Sequence, residues 1–269
     1  MTDPSDSNAS PLFEAKKFDE PSVLAPEALI ENARRQKGLP KPSVPEICVL
    51  DPDGDIVRQL AATGAAQKDE TWPGYHTDLY RFERNGEEFG IVGRAVGASF
   101  AVLVAEQLFA AGCEFLVSVT SSGRIVPEDD PPYFVLVERA LRDEGTSHHY
   151  RSESRYAALD DGLRASVERA CETVSRPVYT GATWTTDAPF RETETAIERA
   201  RSAGILAVEM EAAALYAFAD ARERPVVCFA HVTNQMGQTE EDFEKGDANG
   251  SRDALAVIDA AAAAWRASD

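Results

Sequence analysis

Two carboxylates flank a methionine in Ala207-Val208-Glu209-Met210-Glu211-Ala212-Ala213-Ala214-Leu215, where an apolar run gives way to an alanine-rich one. The first run predicts a buried strand and the second a helix, and ligands of open α/β sheets gather outside the carboxyl ends of strands. An ionised carboxylate accepts hydrogen bonds without donating and can take two at once, which suits the adjacent hydroxyls of a ribose. A methionine beside it supplies an adaptable apolar wall for the sugar ring. The same residues also fit a plainer arrangement: a solvated strand end, then an acidic residue favoured by the dipole at a helix start.

Other groups with chemistry lie elsewhere. Thr120-Ser121-Ser122-Gly123 follows the apolar run Phe115 to Val119 and reads as a small-residue loop whose hydroxyls can serve an anion or a sugar. Arg94 follows the run Phe89 to Val92, just ahead of Gly97, and Arg58 lies beyond the acidic stretch Asp51-Pro52-Asp53-Gly54-Asp55. Each arginine is a candidate cation for an anionic ligand, and each has an ordinary surface ion pair as its alternative. Trp184 and Phe190 are flat enough to stack on a base, or serve as core. His148-His149 points its two rings in different directions without a metal-ligand partner at a recognisable spacing, so a solvated loop is expected. His231 reads as structural and His76 as a loop residue. No metal site, Ser-His-Asp arrangement or GxxxxGK[ST] phosphate loop is expected.

These groups need a scaffold, and the chain predicts one. Strands are expected over Glu46 to Leu50, Leu79 to Glu83, Phe89 to Val92, Phe115 to Val119, Tyr133 to Val137, Val178 to Thr183, Ile205 to Val208 and Val226 to Val232. Asn85-Gly86 marks a tight hairpin turn between the second and third. Helices are expected over Pro26 to Lys37, Ala98 to Ala111, Glu138 to Asp143, Leu163 to Val174, Glu192 to Ala203, Glu211 to Ala221 and Ser251 to Ala267. Alternation of the two through the second half implies an α/β fold, with a central sheet covered by helices on both faces. Residues 1–45, with seven prolines from Pro4 to Pro45, read as a partly disordered N-terminal extension, and residues 46–269 as one catalytic domain.

Composition narrows the classes. With 269 residues, 43% of them apolar, the chain can bury a substantial core. A formal charge of −19 repels phosphate backbones, so nucleic acid is not an expected partner. The longest apolar stretch, Ala98 to Ala111, is too short for a membrane span and is interrupted by Glu106, and the polar start resembles no secretory signal. Cys48, Cys113, Cys171 and Cys228 are widely scattered, which favours free buried thiols in a reducing compartment. A cytoplasmic protein is expected.

The run Val208 to Leu215 closely resembles the ribose-binding signature of the nucleoside phosphorylase family, which includes uridine phosphorylases, hexameric purine nucleoside phosphorylases and nucleosidases. The resemblance continues in order through Ile47 to Ile56, Val92 to Leu108, Phe115 to Ile125, Gly181 to Phe190 and Phe229 to Gln235. It implies a three-layer α/β/α sandwich around a mixed sheet, a homo-oligomer, and cleavage of the bond between ribose and a base, with no metal or organic cofactor. By resemblance Glu211 binds the ribose hydroxyls, Met210 lines the sugar and Glu209 supports the site, with Ser121 also near the ribose. Trp184, Phe190, Arg191 and Asn234 would surround the base.

The family pattern is broken at the anion. Phosphorylases bind phosphate through a glycine after the first strand, an arginine just beyond it and another arginine before the hydroxyl loop. Here Asp51, Asp53 and Asp55 fill the first loop, and Val117, Ser118 and Val119 the later strand. Carboxylates repel a phosphate dianion unless they point away or a cation intervenes. Arg94, Ser121 and Ser122 are the residues left to hold a nucleophile. Asn234 stands where purine-cleaving relatives carry a proton-donating aspartate; an amide cannot act as a general acid, and asparagine there resembles the uridine-cleaving branch. Three outcomes stay open: phosphorolysis of a nucleoside with inorganic phosphate as co-substrate, hydrolysis by water, and nucleoside binding without catalysis.

Overall fold

The computed structural model describes residues 10–14, 16–41, 43–234, 245 and 247–268. Among these residues ten strands form one mixed sheet in the order β10-β6-β8-β9-β5-β1-β4-β3-β2, with β7 paired to β6 and a further pairing between β10 and β5. Their ranges are β1 Ile47–Asp51, β2 Ala66–Lys68, β3 Leu79–Arg84, β4 Glu87–Gly93, β5 Phe115–Arg124, β6 Tyr133–Asp143, β7 Tyr156–Ala158, β8 Val178–Thr186, β9 Ile205–Glu209 and β10 Val226–Asn234. Because β10 pairs with both β6 and β5, the strands β5, β10, β6, β8 and β9 close on themselves, and β1, β4, β3 and β2 extend from β5 as a wing.

Among the described residues seven α-helices cover the sheet: α1 Pro26–Lys37, α2 Asp55–Ala62, α3 Ala98–Ala110, α4 Asp161–Cys171, α5 Glu194–Ser202, α6 Ala212–Arg222 and α7 Ser251–Arg266. Helices α1, α3 and α6 pack together on one side, and α2, α4 and α7 on the other, giving the three layers. The α3 and α6 sequences are apolar on almost every side, and both helices are buried along most of their length. Phe115 of β5 stacks on Trp265 of α7 at 5.2 Å, joining sheet and outer layer. Tyr216 of α6 donates to the Val137 carbonyl at 2.6 Å and accepts from the Cys228 N–H at 3.1 Å, tying β6 and β10 to that helix. All four cysteines are free and buried. Among the described residues no helix is long and apolar enough to cross a membrane.

Three expectations change. Thr120 to Gly123 is strand, not loop, because β5 gains β10 and then β9 as ladder partners. Tyr133 to Asp143 is one strand, so no helix forms over Glu138 to Asp143; β8 pairs along it and absorbs the change in phase with a register shift between Val137 and Arg139. His148-His149 sits in a short 3-10 helix, Ser147–His149, rather than a loose loop, and His148 Nδ1 lies 3.3 Å from the buried Arg142 guanidinium.

Candidate active site

The site follows from the two flanks of β5. On one flank β10 runs beside it from Leu116 to Gly123. On the other, β1 pairs in parallel from Phe115 to Ser118, and β9 pairs antiparallel at Gly123 and Arg124. The strands β1 and β9 therefore approach head to head and both stop, leaving Val119 to Ser122 without a strand neighbour on that flank. The loop after β1 carries Asp53 into this notch, and the turn after β9 carries Glu211. It is a switch point of the kind where α/β sheets bind ligands.

Glu209 is the structural member of the carboxylate pair. Fully buried, its Oε1 accepts from the hydroxyls of Thr183 and Thr185, and its Oε2 accepts from the N–H groups of Glu211 and Ala212, each at 2.7 Å. Thr185 Oγ1 in turn accepts from the Ala213 N–H at 2.9 Å. Burial pushes the Glu209 carboxyl up, and these donors oppose the shift. Glu209 thus caps the start of α6 and fixes the turn in which Glu211 sits.

Glu211 is the reactive-looking member. It is 1% exposed; its Oε1 accepts from the Gly97 N–H at 2.7 Å, while its Oε2 has no hydrogen-bond partner among the described residues. Burial first, and the charge of Glu209 second, push its pKa up to about 8. Gly97 presents that N–H from a backbone at φ 91°, ψ 148°, which glycine adopts without strain. Met210, partly exposed, follows Glu209 in the same turn.

On the anion side the three aspartates divide. Asp51 is buried and faces the start of α2, accepting from the Gly54 N–H at 3.1 Å and the Val57 N–H at 2.9 Å. Burial raises its pKa to about 7, with Asp53 and Asp55 adding to the rise against the pull of the Val57 N–H. The expectation that Asp51 opposes an anion in the site is corrected: it is turned into the helix start. Asp55 is paired with Arg58 and with Lys245, whose Nζ lies 2.6 Å away, and these cations hold it below the usual range although burial alone would raise it. Arg58 is thereby engaged with Asp55. Asp53 does face the notch: it accepts from the Ser121 N–H and the Ser121 hydroxyl, each at 2.8 Å, and Lys245 Nζ lies 3.8 Å from it. The Ser122 hydroxyl is buried with no partner among the described residues.

Arg94 directly follows β4 and adopts the left-handed region, φ 66°, its N–H donating to the Asp51 carbonyl at 2.9 Å. Its side chain lies over Gly54, where an added Cβ would come within 2.9 Å of Arg94 Cγ, so glycine makes room for the arginine. The guanidinium is exposed and has no hydrogen-bond or ion-pair partner among the described residues.

The expected base-side residues are spread out. Trp184 is 4% exposed within a small core of Ile125, Ala182, Ala200, Ile205 and Val208, and its Nε1 donates to Asp143, so its ring is packed rather than open for stacking. Phe190 is 99% exposed on the 3-10 turn Pro189–Arg191, with Arg191 exposed beside it. Asn234 closes β10, and its side chain lies outside the described residues.

Sequence reasoning missed Lys245, Thr183, Thr185 and the cleft-lining place of His231. Lys245 sits in a polar stretch, and no spacing links it to Asp55, 190 residues away. The threonines alternate on β8, a period-two signal that points two hydroxyls to one face. His231 lines a small cleft with Asp53, Ser121 and Lys245; its ring stacks on Phe134 at 4.4 Å, its Nε2 is buried without a partner among the described residues, and burial drives its pKa down to about 4.

A doubly flanked strand with buried carboxylates in its notch defines an α/β protein with a candidate ligand site at the β1/β9 junction. Comparison with known proteins makes this specific. The model of the phosphorylase superfamily matches residues 46–263, and the chain belongs to that superfamily. It is 26% identical over 135 residues to a guanosine phosphorylase of Halorubrum lacusprofundi, covering 50% of this chain and 56% of the relative. It is 26% identical over 184 residues to a uridine phosphorylase of Thermococcus kodakarensis, covering 62% of this chain and 65% of the relative. The chain thus spans a little over half to under two thirds of these relatives' lengths. Two crystal structures of uridine phosphorylase from Vibrio fischeri share the fold. One, complexed with 6-hydroxy-1-naphthoic acid, has a TM-score of 0.65 at 19% identity over 86% of this chain and 95% of its own. The other has 0.67 at 22% identity over 81% and 91%.

Proposed function

We propose that this chain cleaves the N-glycosidic bond of a nucleoside, transferring the ribose to inorganic phosphate to give the free base and ribose 1-phosphate. The observation that carries this reading is Glu211: a buried carboxyl with one oxygen pinned by the Gly97 N–H and the other without a hydrogen-bond partner among the described residues. Two vicinal hydroxyls would supply the missing donors. The superfamily membership and the names of the relatives, a guanosine phosphorylase and a uridine phosphorylase, support the same reaction class.

In this reading Glu211 holds the 2′- and 3′-hydroxyls and Met210 packs on the ring. Phosphate enters the notch opposite them, met by Ser121, Ser122 and the guanidinium of Arg94, which has no partner among the described residues. As the glycosidic bond stretches, the sugar gains oxocarbenium character, and placing the nucleophile on its open face is the main service of the site. The base leaves toward Asn234, Phe190 and Arg191; an amide can steady it by hydrogen bonding but transfers no proton at ordinary pH. No metal or organic cofactor takes part. The protein acts in the cytoplasm as a homo-oligomer, and the four free buried thiols fit a reducing compartment.

Hydrolysis is the second reading, favoured by one observation: Asp53 fills the donors of Ser121 and leaves room for water more readily than for a dianion. Product analysis decides between them. Phosphorolysis yields ribose 1-phosphate and a rate that rises with phosphate; free ribose at a rate indifferent to phosphate would overturn it. Arg94→Ala should raise the phosphate concentration for half-maximal rate at least tenfold while nucleoside affinity changes less than twofold. An unchanged phosphate dependence would remove Arg94 from the anion site.

A further inference from the structure

The Ser121 N–H stands on the flank of β5 that neither β1 nor β9 covers, so the ladder leaves it for a ligand. It is not free: both donors of Ser121, N–H and hydroxyl, go to the two oxygens of one carboxylate, that of Asp53, at 2.8 Å each. A carboxylate and a phosphate present the same face to such a pair, two anionic oxygens in a plane. Asp53 makes no hydrogen bond to its own loop; that work belongs to Asp51, which holds the Gly54 and Val57 N–H groups. Asp53 therefore serves no capping role that would explain its charge. A cation waits to receive it, since Lys245 Nζ is 3.8 Å from the oxygen that accepts the Ser121 N–H.

We propose that Asp53 is an internal anion occupying the phosphate cradle, which inorganic phosphate must displace from Ser121 before it can bind. The inference rests on the phosphorolysis reading for its physiological ligand, although the contact itself can be tested without catalysis. When Asp53 leaves Ser121 it swings onto Lys245, which already bridges to Asp55, and Ser121 turns both donors to the incoming oxyanion. The contact sets how much phosphate the enzyme needs: like charges in direct competition weaken the anion's binding, and a neutral side chain at residue 53 lifts that penalty.

The test is calorimetric titration of inorganic phosphate into wild type, Asp53→Asn and Asp53→Ala, without nucleoside. Both variants should bind phosphate at least tenfold more tightly than wild type, and adding Ser121→Ala to Asp53→Asn should erase most of that gain. Equal or weaker binding in variants that melt like wild type overturns the proposal, as does a gain that survives Ser121→Ala in full. A wild-type crystal grown with phosphate gives a second reading: the Asp53 bonds to Ser121 should be broken, and phosphate seated beside them intact overturns the idea. If wild type cleaves nucleosides without phosphate, phosphorolysis falls, yet tighter phosphate binding in Asp53→Asn would still identify Asp53 as the group that excludes the anion.

Discussion

Replacing Glu211 by glutamine should pull stability and binding in opposite directions. The carboxyl is 1% exposed, one of its oxygens has no hydrogen-bond partner among the described residues, and burial lifts its pKa from 4.5 to about 8. Because the folded state holds this proton more tightly than the unfolded chain, the contribution of Glu211 to stability is fully present below about pH 4.5 and is lost as pH rises through about 8. A shift of this size corresponds to a penalty on the order of several kcal/mol above pH 8, and glutamine, which never ionises, does not incur it. Glu211→Gln should therefore melt higher than wild type at pH 9, with the gap narrowing toward pH 5. Nucleoside binding should move the other way. A hydroxyl bond to a carboxylate is worth about 1 kcal/mol more than one to a neutral acceptor, so with two such bonds the dissociation constant should rise roughly 30-fold. Since hydroxyl donors favour the ionised form, wild-type affinity should also strengthen as pH rises toward 8 and level off beyond it. Thermal melts at pH 5, 7 and 9, with calorimetry of a non-cleavable nucleoside, measure all three. Affinity within twofold of wild type in Glu211→Gln would refute the ribose assignment, and a melting difference independent of pH would refute the burial argument.

Thr185→Val keeps the shape of β8 but removes a donor to Glu209 and an acceptor of the Ala213 N–H, and should cost about 1–3 kcal/mol, read as a loss of several degrees in melting temperature. The unchanged melting of a folded Thr185→Val protein would show that Glu209 finds its partners elsewhere. Light scattering should find a homo-oligomer, with Phe190, 99% exposed, among the apolar side chains that a second copy would cover. An active monomer at low concentration contradicts this.

The sequence by itself determined the elements that depend on local chemistry. Helix α1 begins at Pro26 and ends before Gly38 at φ 67°, as a proline start and a glycine stop dictate. The β3–β4 hairpin turns at Asn85 and Gly86, both at positive φ, because that dipeptide tolerates the conformation. The Glu209-Met210-Glu211 run was legible for a similar reason, since a strand passing into a helix places its acidic residues at the junction whatever surrounds them. Their division of labour was not legible: which carboxylate is saturated by Thr183 and Thr185 and which keeps an open oxygen depends on β8 lying beside β9. The extent of β5 was hidden too, because Thr120 to Gly123 has loop-like residues and becomes strand through β10 and β9, more than 80 residues later in the chain. The acidic loop shows the limit most plainly. Three aspartates in five residues look alike on paper, yet Asp51 turns into a helix start, Asp55 meets Lys245 from the far end of the chain, and Asp53 takes the donors of Ser121. Charge and spacing are local properties, whereas the direction in which each carboxylate points, and the partner that neutralises it, are settled where β1 and β9 stop short on the same flank of β5.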